Sequence, residues 1–178
     1  MNIDKSNEQI DHTDYLIGEL IELYGQQIQR IIYSFVKDQY TSEDLTQETF
    51  ISAYQSLREY RGDSKVYTWL YRIAINKAKD HLKSTWLKRV YYNLPEQLKS
   101  IDSTELTVIN KITELEIIDK ILSLPIKYRE VILLYYIEEF SVKEISGILN
   151  LQEDTIRTRM RRARRQLSKI LKEGNHNE

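Results

Sequence analysis

Six arginines stand within nine consecutive positions, at Arg157, Arg159, Arg161, Arg162, Arg164 and Arg165. A guanidinium pairs with phosphate, or binds the O6 and N7 of guanine through two parallel hydrogen bonds, whereas a lysine acts more as a point charge. Arginine at this density is a chemistry suited to nucleic acid. The apolar residues of the same stretch, Ile156, Met160, Ala163, Leu167 and Ile170, step by 4, 3, 4 and 3 and predict one dry stripe on a helix. Just upstream, Ser141 and Glu144 have the spacing of a capping box, and Val142, Ile145, Ile148 and Leu149 form a second dry face. Asn150 to Asp154 reads as the turn between them, so the pair packs as a helix-turn-helix. In that motif the N-terminal part of the second helix faces base edges. Arg157, Thr158, Arg161 and Arg162 are therefore the expected readers, and Arg164, Arg165, Lys169 and Lys172 are left to phosphate or solvent. A basic helix that is merely solvated is the plainer alternative, against which the cap, the turn and the paired stripes count.

A second basic segment mixes charge with rings. Arg61, Gly62, Asp63, Ser64 and Lys65 read as a loop, followed by a helix that carries Tyr67, Trp69, Tyr71, Asn76, Lys77, Lys79 and Lys83. Aromatic rings among cations suit single-stranded DNA, whose exposed bases stack while its backbone follows the charge. Trp69 lies on the apolar stripe of Val66, Leu70, Ile73 and Ala74, so the core competes with a base for it; Tyr67 and Tyr71 are open to either use. A third segment, Ser42 to Glu48, is acidic and amphipathic, and repels DNA. Asp44, Gln47 and Glu48 with Leu45 form either an interface for a basic protein surface or a well-capped solvated turn.

The elements that must position these groups are helical. The chain has 178 residues, 41% hydrophobic and 30% charged, with five Gly, two Pro and no Cys. That leaves little punctuation for a sheet, and it excludes disulfides, thiolate metal sites and cysteine nucleophiles. His12, His81 and His176 are scattered, so no metal site, no cofactor and no His-centred catalysis is expected. The longest apolar run, Val131 to Ile137, is seven residues, against about 20 needed to cross a bilayer. With a polar, acidic start the chain is expected in the cytoplasm, without membrane insertion. The formal net charge is -1, yet residues 155–172 carry +8 and residues 61–89 carry +6, so the remainder carries -15. Two polyanion contacts are concealed by that total.

Periodicity divides the chain. Residues 1–14 show none and are expected to be disordered; residues 15–89 hold apolar stripes, with a helix break expected at Thr41 and Ser42. Residues 90–113 lose the pattern and read as a flexible linker, able to extend to about 80 Å at roughly 3.3–3.6 Å per residue. Residues 114–172 resume it, with a helix from Tyr128 to about Glu138 after Leu124-Pro125, and residues 173–178 form a tail. The expected fold class is all-α: two small helical domains joined by a flexible linker, the second containing the helix-turn-helix.

Glu43 to Phe50, Arg61 to Ser64, and Tyr67 to Ala74 with Asn76 and Asp80 resemble regions 2.2 to 2.4 of extracytoplasmic-function sigma factors. Leu124-Pro125, Arg129, Val131, Ile145 and Thr155 to Arg164 are similar to their region 4. The resemblance covers Tyr15 to Leu171 in the family's order, and it implies an adapter without an active site that directs core RNA polymerase to promoters. It implies that Asp44, Leu45, Gln47, Glu48 and Phe50 belong to the part that docks on the beta-prime clamp helices, with a further contact to the beta flap. Arg61 to Lys65, Tyr67, Tyr71, Asn76, Lys77, Lys79 and Lys83 would serve the opened minus-ten element. Arg157, Thr158, Arg161 and Arg162, with Arg164 and Arg165, would serve the minus-thirty-five element. Promoter DNA and an anti-sigma factor are the other implied partners. Arg161 occupies a position that often differs among members and Asp154 stands where a small residue is common, so a promoter sequence does not transfer. A helix-turn-helix regulator that binds DNA without polymerase is the alternative, and it leaves residues 61–83 unexplained. A carboxylate-dependent nuclease built on Glu43, Asp44 and Glu48 lacks a Gly-rich phosphate loop, a convergent His and a second carboxylate motif.

Overall fold

The computed structural model describes residues 4–62, 64–92 and 111–174, with side chains described over 14–62, 64–87 and 117–172. The expected linker core, the extreme termini and Asp63 lie outside the described residues. The apolar pattern that begins at Tyr15 belongs to a longer helix, α1 (Asp4–Val36). Ile17, Leu20, Ile28, Ile31, Ile32 and Phe35 turn inward, while Leu23, off that arc, is exposed. Lys37 takes a left-handed conformation (φ 53°) and its N–H bonds the Tyr33 carbonyl at 2.8 Å, ending the helix.

The break before the next helix lies earlier than Thr41. Asp38 is extended and caps α2 (Gln39–Ser56), accepting from the Thr41 N–H at 2.9 Å and the Thr41 hydroxyl at 2.6 Å. Ser42 and Thr46 are accommodated inside the helix because their hydroxyls bond back to the carbonyls of Gln39 and Ser42, each at 2.7 Å. A single 3-10 turn (Leu57–Glu59) and the loop through Gly62 lead to α3 (Val66–Tyr92). Gly62 has φ +76°, a conformation that an L side chain rarely adopts. α1 and α2 pack along each other, and α3 buries Leu70, Tyr71, Ala74, Ile75 and Ala78.

A second unit comprises α4 (Lys111–Ser123), α5 (Ile126–Ile132), α6 (Val142–Leu149) and α7 (Glu153–Gly174), and it clusters separately from α1–α3. Pro125 stands immediately before α5, where its missing N–H costs nothing. The helix expected up to Glu138 widens into a π turn (Leu133–Ile137), which keeps Leu133 and Leu134 buried and turns Tyr136 and Ile137 outward. Leu124, Val131, Leu134, Ile145, Ile148, Ile156 and Ala163 make the core, and α7 packs on α4, α5 and α6. The capping box forms: the Ser141 hydroxyl accepts from the Glu144 N–H at 3.3 Å and the Glu144 carboxylate accepts from the Ser141 N–H at 3.0 Å. Asn150, left-handed at φ 53°, closes α6. Among the described residues every regular element is helical, and no helix is long and apolar enough to cross a membrane.

Ser141→Ala should lower the stability of the second unit by about 1 kcal/mol in urea unfolding. Asn150→Gly should be neutral or better, while Asn150→Val should cost about 1–2 kcal/mol, because the left-handed site penalises a Cβ and a branched one most. Equal effects of the two Asn150 changes would contradict the cap geometry.

Candidate nucleic-acid interface

Three surfaces arise from these helices, two in the first unit and one in the second. On α2, Glu43, Asp44, Gln47 and Glu48 are exposed along one edge, and Glu43 accepts from the Gln39 side chain at 2.6 Å. Leu45 and Phe50 are buried and hold this edge from beneath, with Phe50 also reaching the groove beside it. Beside the edge runs an apolar groove of about 960 Å³ between α1 and α2, lined by Ile17, Ile21, Gly25, Phe50, Ile51 and Tyr54. Ile21, Ile51 and Tyr54 keep large parts of their side chains in water.

The second surface is the loop and α3. The Tyr60 ring stands 5.1 Å from that of Trp69, centroid to centroid, and the Tyr60 hydroxyl donates to the Ser64 carbonyl across the loop. Tyr60, Arg61, Ser64, Trp69 and Arg72 line a cleft of about 370 Å³. Arg72 Nε is buried without a hydrogen-bond partner among the described residues. Arg61 and Lys65 are exposed, and the Lys65 ammonium lies 5.3 Å from the centre of the half-buried Tyr67 ring. The two aromatic expectations trade places. Tyr71, expected at the strand interface, is only 2% exposed, because it continues the line of Leu70, Ala74, Ile75 and Ala78 into the core; Trp69, which the core was expected to claim, is half-buried at the cleft. Further along α3, Asn76 and Lys83 are exposed, Lys79 lies 5.9 Å from the centre of the Phe35 ring, and Lys77 pairs with Glu48 at 3.4 Å.

The third surface is α7. Ile156, Met160 and Ala163 bind it to the core, leaving Arg157, Arg161, Arg162, Arg164 and Arg165 exposed and Thr158 half-buried. Arg157 pairs with Glu153 one turn earlier at 3.0 Å, a surface contact that is readily exchanged. Arg164 lies 5.6 Å from the Tyr136 ring centre, a cation–π contact supplied by the π turn. Thr158 and Arg162 edge a cleft of about 400 Å³ shared with Lys127, Tyr128 and Thr155. Glu153 and Asp154, in the first turn, complement the helix dipole.

Arg159 is the arginine that differs. It points toward α5 and pairs with Glu130 at 2.7 Å, with its side chain 24% exposed and that of Glu130 only 2%. The neighbouring Arg129 is also buried; its Nε and Nη2 donate to the Leu124 carbonyl at 3.2 and 2.9 Å, fixing the bend between α4 and α5. Burial pushes the Arg129 guanidinium down from its ordinary pKa, and an arginine starts so high that it remains charged. Neither role is visible from local spacing.

Comparison with known proteins agrees with this layout. The sigma-70 region 2 family matches residues 20–88, and the sigma-70 region 4 family matches residues 114–167. The RNA polymerase sigma-H factor of Pseudomonas aeruginosa is 34% identical over 175 residues, covering 92% of this chain and 91% of its own. The ECF RNA polymerase sigma factor SigW of Bacillus subtilis is 33% identical over 189 residues, covering 97% and 98%. Among solved structures, the sigma factor RpoE of Bartonella quintana, in complex with the anti-sigma factor NepR, gives a TM-score of 0.73 at 20% identity, over 87% of this chain and 96% of that one. CnrH, in complex with the cytosolic domain of CnrY, gives 0.68 at 22% identity, over 93% and 94%. At these identities the solved structures bear on the fold.

The buried pair predicts an asymmetry. Arg159→Ala strands a carboxylate away from water and should cost about 3–5 kcal/mol in chemical unfolding of the second unit. Glu130→Ala should cost less, because Arg159 can turn to solvent, and Glu130→Leu with Arg159→Met should recover most of the loss. Equal, small effects of the two single changes would show that the pair does not hold α7.

Proposed function

The chain belongs to the sigma-70 family of RNA polymerase sigma factors, in its extracytoplasmic-function class, and from that premise we infer that it binds core polymerase and directs it to promoters with two DNA elements. Residues 15–89 act as region 2 and residues 114–172 as region 4, with 90–113 joining them. The protein works in the cytoplasm and supplies recognition, with no catalytic step of its own.

The chain holds a helix-turn-helix with Arg157, Arg161 and Arg162 turned outward, and also a separate unit where an acidic edge adjoins a basic, aromatic helix. A regulator that needs only duplex DNA has no use for the second combination. Asp44, Gln47 and Glu48, with the neighbouring apolar groove, dock on the beta-prime clamp helices, supported by buried Leu45 and Phe50. The loop Arg61 to Lys65, Tyr67, Asn76, Lys77, Lys79 and Lys83 hold the opened minus-ten strand, and the Tyr60–Trp69 cleft accepts an unstacked base. Arg157, Thr158, Arg161 and Arg162 read the minus-thirty-five duplex from the major groove, and Arg164 and Arg165 follow its phosphates. Ile126, Tyr136 and Ile137, exposed on the second unit, suit the beta flap. An anti-sigma factor, as NepR is for the structurally similar RpoE, would act by covering these surfaces.

Titrating labelled protein with bacterial core polymerase tests the docking assignment. Asp44→Lys should weaken the complex about tenfold, which is about 1.4 kcal/mol, without changing thermal melting. Asp44 is the better probe than Glu48, whose pairing with Lys77 couples two surfaces. Unchanged affinity would remove Asp44 from the interface. The free chain should bind promoter duplex weakly, since joining two contacts by a linker does not fix their separation. Tight sequence-specific binding without polymerase would favour the regulator.

A further inference from the structure

The described part of α3 continues past the residues assigned to the opened strand. Successive residues on a helix turn by roughly 100°, so positions 72, 76, 79, 83 and 86 fall on one strip: Arg72, Asn76, Lys79, Lys83 and Trp86. Trp86 is 61% exposed, with exposed Lys83 one turn before it. It lies more than a turn inside the helix, which runs to Tyr92, so its backbone is fixed. An indole held in water on a lysine strip is a stacking platform beside a backbone track. The charge favours nucleic acid over protein: between Val66 and Leu87, α3 carries Arg72, Lys77, Lys79 and Lys83 against the single acid Asp80. Asp80 lies to the side of the strip away from Trp86. Lys79 and Trp86 are seven residues apart, about 10 Å along the axis at roughly 1.5 Å per residue.

We propose that Trp86 is a base-stacking site for single-stranded DNA, holding an unpaired nucleobase at one edge of the opened promoter segment, further along the strand than the phosphate met by Lys79. The proposal rests on the reading of α3 as the strand-binding helix and extends it to a residue beyond Lys83. A flat ring in this place favours an already unpaired base over a paired one, so it stabilises opening after melting has begun. Any base can serve, because every base has a π-face, and the contact adds grip without adding sequence preference.

The test uses full-length protein with core polymerase on pre-melted promoter templates, each with a single abasic site at a different non-template position. Heparin-resistant complexes are quantified for wild type, Trp86→Ala, Trp86→Gln and Trp86→Phe. A base–aromatic stack of about 1–3 kcal/mol corresponds to roughly 5- to 150-fold in affinity, so Trp86→Ala and Trp86→Gln should lose about tenfold while Trp86→Phe retains most binding. At one abasic position the wild type should fall to the level of the Ala variant, because the partner of the ring has gone; at the others the gap should persist. Full activity of both non-aromatic variants would overturn the proposal, as would a defect of the same size at every abasic position. A matching loss of core affinity would overturn it too, by making Trp86 a protein contact. If the wild type forms no complex with core polymerase on any template, the family function itself fails, which is a different result from an inert Trp86.

Discussion

A chain of nearly zero net charge can offer two helices to a polyanion only if its own carboxylates do not neutralise them first. Burial and placement accomplish this separation. In the first unit the exposed acids of α2 lie along one edge, where Glu43 is engaged by Gln39, and one described ion pair, Lys77 with Glu48, links that edge to α3. In the second unit two arginines of α7 meet carboxylates in opposite ways. The Arg157–Glu153 pair is exposed, worth little, and screened by salt, so phosphate can replace the carboxylate. The Arg159–Glu130 pair is shielded, and leaving Glu130 alone in that place is expensive. Solvent access therefore decides which arginine is structural and which is free to exchange its carboxylate for another anion.

The same constraint shapes the mounting of α7. A helix so rich in arginine has only the narrow strip of Ile156, Met160 and Ala163 to bury, and an arc this thin leaves rotation about the helix axis weakly specified. Arg159 adds a directional contact to α5, and the capped α6 with left-handed Asn150 sets the entry to the turn. The π turn places Tyr136 under Arg164, which steadies the later part of the helix. The base-reading role proposed for α7 requires side chains held at a fixed rotation, and these contacts supply it.

Short-range signals were legible in the sequence, and those that depend on distant partners were not. The Ser141–Glu144 box and the turn at Asn150 involve neighbours within a turn or two and appear as expected, although α7 opens at Glu153, inside the expected turn, and the 4-3-4-3 stripe is buried at Ile156, Met160 and Ala163 but only half-buried at Leu167 and Ile170. Two helical domains also follow from periodicity and composition alone. The start of α2 was misplaced because Thr41 and Ser42 look like caps, while the side chain of Asp38 is the one that accepts from the Thr41 N–H. The buried stripe of α3 is rotated away from the line of Val66, Trp69 and Ile73 toward Tyr71, Ile75 and Ala78, and the half-buried indole instead meets the ring of the loop residue Tyr60. Arg159 finds its partner 29 residues away, a contact no local pattern contains. The groove beside α2 likewise needs both helices in place before it exists.

In the proposed division of labour α7 reads duplex and α3 holds the opened strand. Open-complex formation with core polymerase tests it on two templates, a full promoter duplex and a pre-melted segment that lacks the upstream element. Arg161→Ala should reduce complexes on the first and leave the second unaffected, whereas Lys83→Ala should reduce both and lessen their salt dependence. A loss by Arg161→Ala on the template without upstream duplex, or no loss by Lys83→Ala on the pre-melted segment, would contradict the account.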